Sequence, residues 1–374
     1  MEVTEHTVAV GQGDLLRAVP VFRRFVRYLL TLTMPVSALV FSLTGPHRWY
    51  VSIAMWMVLP LHEYLDGRGK PGRDAPVEGE PAWLYTGLLN VLALTHLVNV
   101  VLVCRMMGLA QPWTIDFGAD LMVAFMLVGT ASGLSGIVVA HELMHRPSKA
   151  LQFLSRLVMG SVLYEHFYTE HIRGHHVRVA TPDDPATARF GERFWPFFRR
   201  TVPAQFKSAW EIEIKRNALE DVPVWHPRHL KNRVVQGLVG EAVFCASLTW
   251  AFGPAALLIM LMQAWWAVRL LEAVNYFEHW GLSRTAKKVR PVDSWDTESS
   301  FTLYGMVGLS RHADHHAYAS RPYQQLRHFE ESPKYPGGYI TMVTMVVVHN
   351  DEFIRIATEE LRARKLGPFM EEAA

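Results

Sequence analysis

Six stretches of the chain, at about 25–43, 49–65, 83–107, 119–140, 234–251 and 254–277, are apolar over close to the 20 or so residues that a helix needs to cross a bilayer. That repetition restricts the chain to an all-α integral membrane protein with about six transmembrane helices. The overall composition agrees, because only 19% of the residues are charged, against roughly 25% in soluble domains. The charges collect between the apolar runs. The fourth run carries a single charge, Asp120, and its Gly129, Gly133 and Gly136 suit close helix packing. Glu241 interrupts the fifth. A Phe-Gly-Pro turn joins the last two runs, which predicts an antiparallel hairpin.

Positive charge sets the orientation of such helices. Arg17, Arg23, Arg24 and Arg27 precede the first run, and Arg68, Lys70 and Arg73 follow the second, whereas the connections at 44–48, 108–118 and 252–253 are short and weakly charged. Six crossings then place both termini, the 141–233 insert and everything after 278 on the cytoplasmic face of an inner (cytoplasmic) membrane of bacterial type. Residues 1–24 read as a cytoplasmic N-terminal segment, 25–348 as the membrane domain and 349–374 as a cytoplasmic tail. The polar, acidic start MEVTEHTVAVGQGDLL is no secretory signal, and its lone GQG is no nucleotide loop. "QFKSAWEIEIKR" in the insert predicts a mixed-charge helix at a solvated or interfacial surface. A net charge of +2 argues against nucleic acid as a partner. The two cysteines, Cys104 and Cys245, read as buried thiols, and without a CxxC pair no thiolate-bound iron site is fused to this chain.

Histidine is the anomaly, with 18 residues. "HELMH" sets His141 and His145 one helical turn apart, so both imidazoles can meet one metal ion. "EHIRGHH" contributes His171, His175 and His176, and "RHADHH" contributes His312, His315 and His316. "NYFEHWG" ends the sixth apolar run with His279. HExxH alone also matches a zinc-protease motif with Glu142 as base, yet one zinc uses three or four protein ligands. Nine imidazoles at one membrane face suit two metal ions, and nitrogen-rich sites with open positions suit iron that binds oxygen. Glu142, Glu170, Asp183, Asp184, Glu278 and Asp314 stand nearby as acceptors for the free ring N–H of a ligand. His166 joins them, as does a polar stripe of Glu272 and Asn275 on the helical face of His279. His96, inside the third run, reads as a helix–helix hydrogen bond.

HELMHR, EHIRGHHVRVATPDDPAT, NYFEHWGL and RHADHH together resemble the histidine boxes of the membrane-bound alkane monooxygenases of the AlkB type. These belong to the integral-membrane di-iron group that also holds fatty-acid desaturases and xylene monooxygenase. The resemblance covers about residues 20–340, with Trp280 where that family usually has tyrosine. It implies six transmembrane helices and a cytoplasmic site in which His141, His145, His171, His175, His176, His279, His312, His315 and His316 hold two non-haem irons. It also implies hydroxylation of an unactivated C–H bond with O2. Electrons would come from a separate rubredoxin or ferredoxin and its reductase.

Hydrocarbon hydroxylation needs an oxidant that no side chain supplies, so the protein contributes placement and dryness. The substrate is expected to enter from the bilayer, with Met55, Trp56, Gly129 and Gly133 as channel positions. The insert's Arg173, Arg178, Arg189, Arg193, Arg199, Arg200, Lys207, Lys215 and Arg216 suit either anionic headgroups or an acidic electron carrier. The alternatives are a lipid desaturase or a xylene-type monooxygenase using the same site, an intramembrane zinc protease, and a metal transporter or binding protein.

Overall fold

Five apolar runs become continuous helices long enough to cross a bilayer: Val19–Thr44, Ala82–Leu109, Ile115–Met144, Arg233–Phe252 and Pro254–His279. The computed structural model describes residues 12–68 and 72–370, with side chains from Val19 onward, so Arg17 and Lys70 fall outside the described side chains. The run at 49–65 differs from expectation. It forms two helices, Trp49–Trp56 and Val58–Gly67, with a turn at Met57 between them. Pro60 explains the break, since it has no N–H to return to the Trp56 carbonyl and its ring crowds that position.

The broken pair still joins the two ends of the bundle. At one end, the Trp49 backbone N–H donates to Asp116 (2.9 Å), and the His47 backbone N–H donates to Asp120 (2.8 Å). At the other, Asp66 accepts from Ser299 Oγ (2.9 Å) and Thr302 Oγ1 (3.0 Å), beside the helices that carry the last histidine box. The short connections after Thr44 and Leu109 therefore gather at one end, and the histidine boxes at the other. The lone charge of the fourth run, Asp120, is buried and also accepts from Ser52 Oγ (2.6 Å).

Small residues set the spacing between Ile115–Met144 and its neighbours. A Cβ on Gly129 would come within 2.8 Å of Trp266, and one on Gly133 within 2.9 Å of Leu270 and 3.2 Å of the Ala267 carbonyl. Both positions therefore lie in a helix–helix contact instead of lining a channel. Gly133→Leu is expected to push the Pro254–His279 helix away and lower stability by about 1–3 kcal/mol, the usual range for overpacking. A thermal melt in detergent measures this, and an unchanged melting temperature would sink the packing role. His96 Nε2 lies 2.7 Å from Ser161 Oγ, a hydrogen bond between a span and the insert.

The insert packs over the histidine end through Lys149–Gly160 and Phe194–Arg216. The mixed-charge stretch within the second helix is not wholly solvated, because Gln205 and Glu213 are fully buried. After the last histidine box come Tyr339–Val348 and Asn350–Arg364. Phe353 of the latter packs on the rings of Tyr276 and Trp280. The packed unit thus continues well past 348. Among the described residues there is no strand, and Asp296 and Lys334 form only an isolated bridge.

Candidate metal centre

The Ile115–Met144 helix runs for 30 residues, about 45 Å at 1.5 Å per residue, and so carries HELMH beyond the bilayer core. His141 and His145 leave its last turn on one face, with ring centroids 5.4 Å apart. The second box is a π turn, His171–His175, in which the His176 N–H reaches back to the His171 carbonyl. That i→i+5 bond lines up residues five apart, so His171 and His176 face each other with their Nε2 atoms 2.9 Å apart. His175 points elsewhere. The third box is an ordinary α-helix, His312–Ala317. There the i,i+4 pair His312 and His316 shares a face, with ring centroids 4.4 Å apart.

Local winding sorts the imidazoles into two adjacent groups. One ligand nitrogen each from His141, His145, His171, His176 and His315 lie within 4.8 Å of one another. His175, His279 and His316 form a second such set, and His279 also joins Glu278 and His312. His279 Nε2 lies 3.2 Å from His312 Nε2. Two nitrogens bound at about 2.1 Å to one metal ion and at right angles lie roughly 3 Å apart. The Nε2 atoms of His145, His175, His315 and His316 are buried without a hydrogen-bond partner, which a metal ion would satisfy. Burial and neighbouring imidazoles hold His171, His176, His312, His315 and His316 well below the usual histidine range. Burial, His175 and Arg146 bring His145 down to about 4. Neutral imidazole is the form that ligates. The donor set fits metal ions, and the arrangement is that of a site able to hold them.

The acidic residues divide differently from the sequence expectation. Asp184 accepts from His175 Nδ1 (2.9 Å), and Glu278 Oε1 lies 3.2 Å from His312 Nδ1. The others turn to different partners. Glu142 pairs with Arg146 (2.7 Å) and accepts from the Tyr323 N–H (3.1 Å). Glu170 pairs with Arg178 (2.7 Å), and Asp314 with Arg321. Asp183 is exposed. Glu272 accepts from Tyr164 (3.0 Å), Gln205 (2.9 Å) and Asn275 (3.2 Å), which ties the insert to the Pro254–His279 helix instead of touching an imidazole. His166 is buried between Tyr164 and Phe206. Arginines compete for carboxylates here because they are the stronger donors.

A small cavity abuts both groups, between His141 and His315 of one and His312 of the other. Val138, Val307, Leu309 and Leu326 supply its apolar walls. Val138 was findable, since it lies one turn before His141 on the same helical face. The other three come from a turn and a loop with no periodic signal. Met55 and Trp56 pack instead against the separate apolar cluster that includes Phe41 and Leu127.

Comparison with known proteins bears on this geometry. The fatty acid desaturase family profile matches residues 119–345. Alkane 1-monooxygenase 1 of Pseudomonas aeruginosa is 33% identical over 86% of this chain and 85% of its own length. The chain belongs to the fatty acid desaturase family, in its alkane monooxygenase branch. Alkane 1-monooxygenase 2 of Alcanivorax borkumensis is 35% identical over 84% of each chain. The xylene/toluene monooxygenase hydroxylase component of Pseudomonas putida is 24% identical over 66% of this chain and 68% of its own. Membership makes this an integral-membrane oxidoreductase, and the four histidine boxes all fall within the matched residues.

Proposed function

We propose that this monooxygenase hydroxylates the terminal carbon of an alkane or a similar hydrocarbon at a pair of non-haem irons. Hydrocarbon hydroxylation by a membrane di-iron enzyme follows from the family. The observation that carries the finer reading is the pair of histidine groups meeting at one small cavity, walled on one side by apolar residues and on the other by His141, His312, His315 and Glu142. The ligands would be His141, His145, His171, His176 and His315 for one ion, and His175, His279, His312 and His316 for the other. Bound there, two irons would supply the reduction of O2 that puts one oxygen into the C–H bond and releases the other as water.

The chain's own residues contribute placement. Val138, Val307, Leu309 and Leu326 form the apolar side of the cavity beside His141, His312 and His315; at about 10 Å3 it is no larger than one water, so these walls would have to part to admit a carbon chain. Burial is worth about 0.8 kcal/mol per CH2 relative to water. Most of that gain is already present in the bilayer, so burial alone gives little selectivity between hydrocarbons. Asp184 fixes the His175 ring, and Glu278 stands beside His312. The electron donor would be a separate rubredoxin or ferredoxin. Residues 25–348 would hold every metal ligand, with the Asn350–Arg364 helix packed against them, and the site would face the cytoplasm across an inner membrane.

Purified iron-replete protein is expected to hold about two irons per chain. Cells fed alkanes, alkylaromatics and fatty acyl chains should yield primary alcohols from the alkanes. Stoichiometric zinc without iron would sink the di-iron reading, and olefins without alcohols would favour a desaturase. Orientation has its own test. Single cysteines at Asp183, Lys287 and Trp113, in a background lacking Cys104 and Cys245, should label with an impermeant reagent from the cytoplasmic side at the first two positions only. Asp183 and Lys287 on opposite faces would break the topology.

A further inference from the structure

Glu241 interrupts an apolar run, and carboxyls inside membrane spans mark functional sites more often than not. It plays no part at the metal centre. It lies instead at the polar end of a groove of about 610 Å3 between Ala82–Leu109, Lys149–Gly160 and Arg233–Phe252, within the roughly 300–1,000 Å3 range of small-molecule sites. Leu97, Val101, Phe153 and Phe244 line the apolar length of the groove. Arg156, Glu165, Gln236 and Glu241 gather at the polar end.

That end is built. The Glu165 backbone N–H donates to Glu241 Oε1 (2.9 Å), and Arg156 pairs with Glu165 Oε1. Glu165 is 5% exposed, and its Oε2 is buried without a partner. It rests against Gly237, where any Cβ would collide with it. Arg156 is already engaged by Glu165, so Glu241 is left as a second carboxyl without a cation of its own and disfavours a phosphate or carboxylate head. A plain alkane would leave carboxyl oxygens unpaired in an apolar trough, which costs free energy. A hydroxyl head can donate to a carboxylate and accept from Gln236 or Arg156.

We infer that this groove binds a long-chain primary alcohol, its hydroxyl at Glu165 and Glu241 and its tail along Leu97, Val101 and Phe244. The alcohol's identity as product rests on the proposed hydroxylation, whereas the binding does not require turnover. The test uses the full-length, iron-loaded chain in phosphatidylcholine nanodiscs, kept anaerobic and without reductant so that no product forms. A dodecanol carrying a mid-chain diazirine is photolysed, and the labelled peptides are mapped.

Labelling is expected within 149–161 and 236–247. Unlabelled 1-dodecanol should compete about tenfold better than n-dodecane or dodecanoate, the difference one or two hydrogen bonds make. Gly240→Phe should lower labelling about tenfold, because a Cβ there meets nothing within 4 Å and the ring fills the groove. Glu241→Gln should narrow the preference for the alcohol. Equal competition by dodecane or dodecanoate would overturn the inference, as would labelling that survives Gly240→Phe. If that variant does not fold, the competition order in the unaltered chain decides alone. Loss of hydroxylation in cells with intact labelling would count against the proposed reaction and leave the groove standing.

Discussion

Replacing His279 with alanine is expected to lower hydroxylation by at least about a thousandfold and to reduce bound iron from about two ions per chain toward one. His279 occupies the smaller histidine group and joins both of its halves, lying with His175 and His316 on one side and with Glu278 and His312 on the other. Its Nε2 faces that of His312 at 3.2 Å. Removing it leaves three imidazoles for an ion that the five-histidine group does not hold. His145→Ala takes one of five and is expected to retain more metal. His349 is exposed at the end of Tyr339–Val348, so His349→Ala should change neither quantity. Iron analysis and product quantification on the same preparations separate these cases. A His279→Ala protein with full iron and near-normal turnover would reduce His279 to a helix-end residue.

The membrane architecture was legible because apolar length is a direct physical requirement of the bilayer. Only the run at 49–65 departed: apolar length does not register the donor missing at Pro60, and the helix breaks at Met57. The nine histidines were equally legible as a set, since they come in four short boxes, two of them closing apolar runs and two in the polar segments that follow. Their division into five and four was not. Read as α-helix, His171 pairs with His175; a π turn pairs it with His176 instead. That choice depends on tertiary packing, which outweighs local spacing. The acidic residues were harder still. Glu142, Glu170 and Asp314 lie within a few residues of histidines in sequence, but Arg146, Arg178 and Arg321 reach them first. Sequence proximity carries no information about which of two donors wins. The cavity walls at Val307, Leu309 and Leu326 lie in a turn, a single 3-10 turn and a loop, where no periodicity announces them.

Asp184, like Glu278, faces an imidazole and not an arginine, and its replacement should show what orienting an imidazole is worth. Burial alone would raise its carboxyl, but His175 and the Thr187 hydroxyl outweigh burial and hold it below the ordinary aspartate range. Three donors converge on it: the Ala186 N–H on Oδ1 (3.2 Å), and His175 Nδ1 (2.9 Å) and Thr187 Oγ1 (2.6 Å) on Oδ2. An asparagine of the same shape offers one oxygen and one NH2. If its oxygen takes the Oδ2 place, the NH2 meets the Ala186 N–H. If it takes the Oδ1 place, the NH2 meets His175, which then keeps its proton on Nε2, the atom that should ligate. Either arrangement strands a buried donor, and the second also removes a ligand. Asp184→Asn is therefore expected to weaken metal retention and activity about 10–100-fold, the usual cost of losing a partner behind a ligating histidine. The rate of iron loss to a chelator, compared with that of Asp183→Asn, measures it, because Asp183 is exposed on the neighbouring position. Equal rates in both variants would mean that His175 needs no carboxylate to hold its place, and that the smaller histidine group is positioned by backbone alone.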